Sequence, residues 1–299
     1  MSTTIDGKWA FARYQSIRRR LPRGVFTGSA MPLPDLEPIM SRFDVFVFDS
    51  FGVLNVGEDV IPDAIERIRA LRKIGKKVVV LTNAAATPLS KVEDKYAKLG
   101  FDFTADEIVS SRHVLTDALC ETDPKMLWDV IAPPFAAVDT LPCKARHFDA
   151  TASDDADGII FLSSNGWQAA DQACLLERLT VRPRPLWIGN PDLVAPWGDS
   201  YSREPGSYAH DIWEETGIQP VFFGKPYANA FETVRNRFLG VPAERFLMLG
   251  DTLHTDILGG AAAGMKTGLV SGFGVLRDMD IDDCIQRSSI VPDYVMPGI

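Results

Sequence analysis

Four short apolar runs are each followed by polar residues that could take part in catalysis. These residues are Asp49 after run 45–48, Thr82 and Asn83 after run 78–81, Lys225 after run 221–223, and Asp251 with Asp256 after run 246–249. In open parallel sheets, ligands bind beyond the carboxyl ends of the strands. If the runs are strands of one sheet, their polar residues should meet at one edge and form a site.

The residue types indicate a divalent cation and an anionic substrate. Mg²⁺ takes oxygen ligands, usually one or two carboxylates together with water and substrate phosphate, and Asp49, Asp251 and Asp256 could supply the carboxylates. A carboxylate such as Asp49 can also be a covalent nucleophile when the charge of an approaching phosphoryl group is neutralised. The metal and Lys225 would neutralise that charge, and Thr82 offers donors for phosphoryl oxygens.

The elements that must position these residues alternate between strands and helices. Runs 45–48 and 78–81 are apolar throughout, as in strands buried on both faces of a parallel sheet. Between them, a helix beginning at Pro62 carries apolar residues at helical spacing, namely Ile65, Ile68, Leu71 and Ile74. The alternation resumes from residue 221, and we predict an α/β fold with a doubly wound parallel sheet.

The predicted core is interrupted by a segment of different composition. Residues 121–218 contain an acidic run and their own candidate strands, 159–162 and 186–188, which predicts an inserted α/β cap domain. Residues 25–120 and 219–299 would then form the core. Residues 1–24 are predicted to form a helical extension whose aromatic residues dock on the body, with arginines at its carboxyl end.

Composition limits the kinds of partner. The net charge of -9 opposes nucleic-acid binding, which needs a basic surface. No stretch approaches the roughly 18 apolar residues of a membrane span, and the four cysteines lack the spacing of a zinc site. We expect a cytoplasmic protein that binds a small molecule and neither membrane nor nucleic acid, and homo-oligomerisation stays open.

Together the polar segments resemble the four motifs of the haloacid dehalogenase (HAD) superfamily. The matching segments are 49–54, 82–83, 224–226 and 250–256 in order. An insertion between the second and third motifs, with Asn190-Pro191-Asp192 and Pro205-Gly206, is similar to class IIA, which includes nitrophenyl, sugar, nucleotide and pyridoxal phosphatases. The resemblance covers about residues 43 to 275 and leaves the first forty outside.

The resemblance implies a Mg²⁺-dependent hydrolase of a small phosphorylated metabolite, with an aspartyl-phosphate intermediate on Asp49. It assigns catalysis to Asp49, Thr82 and Lys225, and phosphate binding to Thr82, Asn83 and Lys225. It assigns the metal to Asp49, Asp251, Asp256 and the backbone carbonyl of Phe51. Asn190 and Asp192 match a cap loop that could close over substrate or simply form a turn. His254 could reach the cleft or lie in solvent.

Phe51 departs from the family pattern. Phosphatases of the superfamily carry there a second Asp that protonates the leaving oxygen, and losing such a group typically lowers the rate on the order of 10² to 10⁴. One hypothesis is that the enzyme acts on esters with good leaving groups, or that another residue, His254 or a cap residue, replaces the missing Asp. A second is a dehalogenase, whose residue there is aromatic and which works without metal. A third is a metal- or phosphometabolite-binding protein with little turnover.

Overall fold

The computed structural model describes residues 5–197 and 200–299 of the chain. Within this part, seven strands form a core sheet in which every neighbouring pair is parallel. In order across the sheet, they are β1 (Met31–Pro32), β16 (Tyr294–Met296), β15 (Lys266–Val270), β14 (Phe246–Gly250), β2 (Val45–Phe48), β5 (Lys77–Thr82) and β6 (Ile108–Ser110). The α-helices are α1 (Gly7–Ser16), α2 (Ala64–Lys73), α3 (Val92–Lys98), α4 (Ser111–Cys120), α5 (Ala169–Val181), α6 (Pro205–Thr216), α7 (Ala228–Asn236), α8 (Leu258–Ala262) and α9 (Ile281–Ser288).

Strand β2 shows why the core sheet is covered on both faces. Its side chains alternate: Phe46 and Phe48 pack in a cluster with α2 and α3, whereas Val45 and Val47 pack in a cluster with α4 and α7. All four are fully buried, and burial of such a side chain contributes about 1.5–3 kcal/mol. This two-sided burial confirms the α/β, doubly wound arrangement predicted from the uninterrupted apolar run.

A second parallel sheet is formed mainly by the middle of the chain. Its order is β13 (Val221–Phe222), β10 (Leu186–Ile188), β9 (Gly158–Phe161), β7 (Leu127–Ile131) and β8 (Lys144–His147). Helices α5 and α6 pack on one face, while Trp128 and Ile160 on the other face pack in the same cluster as α4 and α7 of the core. The fold is therefore a parallel core with a second α/β unit, consistent with a cap.

Two sequence expectations need correction. Run 221–223 was assigned to the core, but β13 pairs with β10 in the second sheet, with Trp187 opposite Val221. An apolar run this short carries no information about which sheet it joins. Helix α2 ends at Lys73, and Ile74, predicted on its apolar face, is 51% exposed. The cap limits 121–218 stay a prediction, and β13 lies just outside them.

Two antiparallel hairpins complete the described strands. They are β3 (Asn55–Val56) with β4 (Asp59–Val60), and β11 (Val194–Trp197) with β12 (Ser200–Arg203). Among the residues that the structure describes, no helix combines the length and apolarity that a membrane crossing requires.

Candidate active site

The carboxyl edge of the core sheet brings three of the predicted site residues together. Strand β2 is paired with β14 on one side and β5 on the other, so Asp49 lies between Asp251, which follows β14, and Thr82, which ends β5. The backbone N–H of Asp49 donates to the carbonyl of Leu249 at 2.8 Å, which extends the ladder to Asp49. The register of the sheet thus fixes the backbone positions of these three residues relative to one another.

Lys225 enters the site from the loop after β13. Its Nζ lies 2.6 Å from Oδ1 of Asp49 and 2.7 Å from Oδ1 of Asp256, and the side chain is 2% exposed. Burial alone would lower the pKa of Lys225, but the carboxylates of Asp256 and Asp49 raise it above its ordinary value. The lysine is therefore a fixed cation between two carboxylates.

Asn83 links Lys225 to the second unit. Its Oδ1 accepts from the backbone N–H of Lys225 at 2.7 Å and from Oγ of Ser111 at 3.2 Å. Its Nδ2 donates to the carbonyl of Lys225 at 2.9 Å and to Oδ1 of Asp192 at 2.8 Å. The Asn83 side chain is therefore fully engaged, and its predicted role in phosphate binding stays a prediction that only its backbone N–H could fulfil.

The other two carboxylates are oriented by short loops. Oδ2 of Asp251 accepts from the backbone N–H of Val275 at 2.8 Å, and Oδ2 of Asp256 accepts from that of Thr252 at 3.1 Å. Residues 253–257 form a π-helical turn, which often marks a functional site. A Cβ at position 250 would overlap Asp256, so glycine there lets the carboxylate fold back over the strand end.

The three carboxylates suit a hard cation. One oxygen from each of Asp49, Asp251 and Asp256 lies within 4.8 Å of the others. Oδ1 of Asp256 is buried, and its contact with Nζ of Lys225 lacks hydrogen-bond geometry. Burial raises the pKa of Asp49 and of Asp251, and the charge of Asp256 adds to both rises, although Lys225 opposes them. A divalent cation would offset this crowding of negative charge, and an all-oxygen donor set is the one Mg²⁺ prefers.

Two cavities lie beside Asp49, between the core sheet and the second unit. The larger, of about 220 Å³, has in its lining Asp49, Phe51, Thr82, Lys95, Asn190, Asp192 and Glu204. The smaller, of about 40 Å³, has in its lining Tyr14, Asp49, Phe51, Asp192, Asp251 and Thr252. Asp49 and Thr82 of the core thus face side chains of the second unit, such as Asp192, across a narrow cleft.

Comparison with known proteins agrees with this architecture. A family model described as haloacid dehalogenase-like hydrolase matches residues 46–137, and one described as HAD-hydrolase-like matches residues 222–299. The chain belongs to the haloacid dehalogenase superfamily. Asp49 and Thr82 of this HAD hydrolase lie in the first match, and Lys225, Asp251 and Asp256 lie in the second. Most of the second sheet falls between the two.

Relatives of the HAD hydrolase match along most of its length. Chronophin of Mus musculus is 29% identical over 285 residues, covering 88% of this chain and 93% of its own. Glycerol-3-phosphate phosphatase of Homo sapiens is 26% identical over 296 residues, covering 88% and 91%. A solved structure of a possible sugar phosphatase from Cytophaga hutchinsonii has a TM-score of 0.79 at 25% identity, covering 90% of this chain and 98% of that one. Class IIA homologues are therefore established.

His254 lies elsewhere than the sequence interpretation expected. It is 1% exposed, its Nε2 lies 2.8 Å from Oε1 of Gln15, and its ring stacks on Tyr14 at 5.0 Å. Burial lowers the pKa of His254 to about 3. The hypotheses of a cleft-facing base and of a solvent-exposed loop residue are both wrong, because the ring is packed beneath α1 of this HAD hydrolase.

The second unit contributes a connected polar loop to the cleft. Oδ1 of Asn190 accepts from the backbone N–H of Asp192 at 3.0 Å, as in a turn, and its Nδ2 donates to Glu204 at 3.0 Å. Burial raises the pKa of Asp192 to about 7. Asn190 therefore shapes the loop, whereas the carboxyl group of Asp192 lies in the lining of both cavities beside Asp49.

Three ionisable residues in the described lining of the cleft were not predicted from the sequence. Lys95 lies on α3, which follows the second motif, and Glu204 precedes Pro205-Gly206, so their place near known motifs was a usable signal. Tyr14 lies in the first forty residues, outside the family resemblance. No local pattern connects it to the site of the HAD hydrolase.

Proposed function

We propose that this HAD hydrolase is a Mg²⁺-dependent phosphatase that acts on small phosphate esters through an aspartyl-phosphate on Asp49. The observation that carries the proposal is the contact of Lys225 with Asp49 at 2.6 Å, inside a triplet of carboxylates at the strand ends. Its relatives include a glycerol-3-phosphate phosphatase, and a possible sugar phosphatase has a similar structure. The roughly 220 Å³ cleft favours a small substrate.

The residues divide the chemistry between them. A carboxylate oxygen of Asp49 attacks phosphorus, the P–O ester bond breaks, and the alcohol leaves with a proton. Lys225 and Thr82 stabilise the growing charge on the phosphoryl oxygens. Asp49, Asp251 and Asp256 would hold Mg²⁺, which when bound neutralises charge on the phosphoryl group. Water then attacks the aspartyl-phosphate, releasing phosphate and restoring the Asp49 carboxylate.

Phe51 cannot supply the leaving-group proton, and Asp192 is the carboxyl group that we assign to this task. It faces the same cleft as Asp49 and Phe51, and Asn83 orients it through a 2.8 Å hydrogen bond. Its raised pKa keeps part of the population protonated at neutral pH. It would give its proton to the leaving oxygen and recover one from the attacking water.

A phosphate-release screen tests the proposed function. Sugar, nucleotide, cofactor and aryl phosphates are assayed with and without Mg²⁺, using wild type and Asp49→Asn. We expect Mg²⁺-dependent release that Asp49→Asn abolishes. Metal-independent halide release from haloacids would instead support the dehalogenase hypothesis, and Mg²⁺ binding without turnover would support the binding-protein hypothesis.

A swap of the acid tests the assignment of Asp192. Asp192→Asn keeps an oxygen for Asn83 but loses the proton, so we expect on the order of 10²-fold lower kcat on alkyl phosphates and a smaller loss on nitrophenyl phosphate. Adding Phe51→Asp to that variant should restore much of the alkyl-phosphate rate. Equal losses on both leaving groups, without restoration, would contradict the assignment.

A further inference from the structure

The N-terminal helix α1 contacts the core and the second unit at once. Towards the core, Phe11, Ile17 and Leu21 pack with Leu253 and Leu276 in one apolar cluster. The side chain of Gln15 also donates to the carbonyl of Arg287 at 2.7 Å. The helix is therefore anchored on the loop and helices that follow β14.

The opposite side of the helical segment is paired with α6 of the second unit. Arg13 lies 2.8 Å from Asp211 and 3.0 Å from Glu214, and Arg20 lies 3.3 Å from Glu214. The guanidinium of Arg20 also lies 4.7 Å from the ring centroid of Trp213. Several charges thus share one network, which stabilises more than an isolated exposed pair does.

Tyr14 extends from this helix to the active site. It is 4% exposed, and its hydroxyl accepts from the backbone N–H of Leu193 at 3.2 Å. Among the described residues its own O–H has no acceptor, and its side chain is in the lining of the smaller cavity with Asp49 and Asp192. Burial and the charge of Asp192 raise its pKa well above the ordinary value, so Tyr14 stays a neutral donor.

The start of α1 approaches the metal-binding side of the cleft. Asp6 caps the helix by accepting from the backbone N–H of Trp9 at 2.7 Å. A Cβ on Gly7 would overlap the carbonyl of Val275, whose backbone N–H orients Asp251. The close approach therefore requires glycine and ties the extension to the loop that holds a carboxylate.

We propose that the N-terminal helix completes the active site, with Tyr14 as a positioning residue that holds the 192–193 segment over Asp49 while Arg13 and Arg20 fix the second unit against the core. This inference rests on the proposed phosphatase function for its kinetic readout. In structural terms, three parts of the chain form the cleft: the core sheet, the second unit and residues 5–21.

Tyr14→Phe in the full-length protein tests the positioning role, because the ring and its stacking on His254 are kept while the hydroxyl is lost. With Mg²⁺ and the best ester from the screen, we expect kcat to fall about five- to tenfold, the effect of one hydrogen bond, with KM within about twofold because the reacting phosphoryl group is bound by other residues. Amide exchange at Leu193 should become faster, while exchange in α9 stays unchanged.

Arg13→Met tests the connection to α6, with Arg19→Met as the matched control because Arg19 is exposed in the same segment. We expect faster amide exchange at the α1–α6 contact and a lower kcat for Arg13→Met, and wild-type behaviour for Arg19→Met. Unchanged kcat and unchanged Leu193 exchange in Tyr14→Phe would overturn the inference. If wild type releases no phosphate, the proposed function fails, and the exchange measurements still decide whether Tyr14 holds the segment.

Discussion

At the scale of single residues, the positive charge of Lys225 is balanced by two carboxylates, those of Asp49 and Asp256. Lys225→Met would leave Asp49 and Asp256 buried without their cation, and loss of one partner of a buried pair typically costs about 3–5 kcal/mol. We expect the free energy of unfolding, measured in urea without metal, to fall by about 3–5 kcal/mol. Phosphate release should also be lost.

The matched control for Lys225 is an exposed pair. Lys266 lies 2.6 Å from Asp293 with its side chain 47% exposed. Lys266→Met should therefore lower the free energy of unfolding by less than about 1 kcal/mol. Mg²⁺ should stabilise Lys225→Met more than wild type, since it would take over part of the missing positive charge. Equal metal effects on both proteins would contradict this account of the site.

Lys95 carries a different prediction, because it is half-buried in the cleft with its Nζ 5.2 Å from the ring centroid of Tyr96 and, among the described residues, without an anionic partner. In the described part of the chain its Nζ makes no ion pair or hydrogen bond; burial lowers its pKa, while Asp49 raises it. An anionic substrate would supply the missing partner. We expect Lys95→Met to raise KM for phosphate esters about tenfold with little change in kcat, while Lys98→Met on the same helix behaves as wild type. An unchanged KM would count against this role.

Residues that follow strands could be placed from the sequence, whereas contacts across the fold could not. Asp49, Thr82 and Asp251 were predictable because parallel strand ends share one edge. His254 was misplaced since its position depends on Tyr14, which is distant in sequence. Tyr14 itself was not predicted for the same reason. One hydrogen bond of the Asn83 side chain depends on Asp192, which belongs to the second unit.

At the scale of elements, the end of β14 has no room for a side chain. Gly250→Ala would push a methyl group against Asp256, and overpacking of this kind costs about 1–3 kcal/mol. Because Asp256 must move, we expect Mg²⁺ affinity by calorimetry to fall at least tenfold. Gly268→Ala on neighbouring β15 is the control, since its methyl would meet Leu249 instead; it should lose stability but keep Mg²⁺ affinity. Equal affinities in both variants would show that Asp256 tolerates the shift.

The elements themselves were predictable in proportion to their length and pattern. Runs 45–48 and 78–81 became β2 and β5 because fully apolar runs need cover on both faces. Strands β1 and β16 were not predicted, and β13 was assigned to the wrong sheet. Two- and three-residue strands depend on their neighbours rather than on their own sequence.

At the scale of the whole molecule, pH should act through the contact between α6 and the N-terminal segment. His210 is 1% exposed, and burial lowers its pKa to about 3, with Arg20 and Arg13 adding to the shift and Glu214 opposing it. The unfolded chain takes up this proton below about pH 6.5 and the folded chain does not. Stability from neutral His210 is therefore complete above pH 6.5 and is lost as pH falls towards 3.

We expect wild type to lose up to about 2 kcal/mol more than His210→Phe between pH 7.5 and 5.0. Phenylalanine preserves the ring contact with Phe222 at 5.1 Å but cannot bind the proton. Urea unfolding of both proteins at both pH values measures this difference. The site carboxylates are the same in both proteins, so their effects on stability cancel in the comparison. Identical pH dependence in the two proteins would show that His210 is protonated at no cost to the fold.

The docking of α1 also determines when the enzyme can become active during its synthesis. Phe11, Tyr14 and Ile17 are made long before several of their apolar partners, namely Leu253, Leu276 and Ile290. Until those residues leave the ribosome, the helix has no surface to cover it, and the 192–193 segment lacks its support. A nascent chain can therefore hold its complete second sheet, together with β2, β5 and β6 of the core, while the cleft still lacks α1.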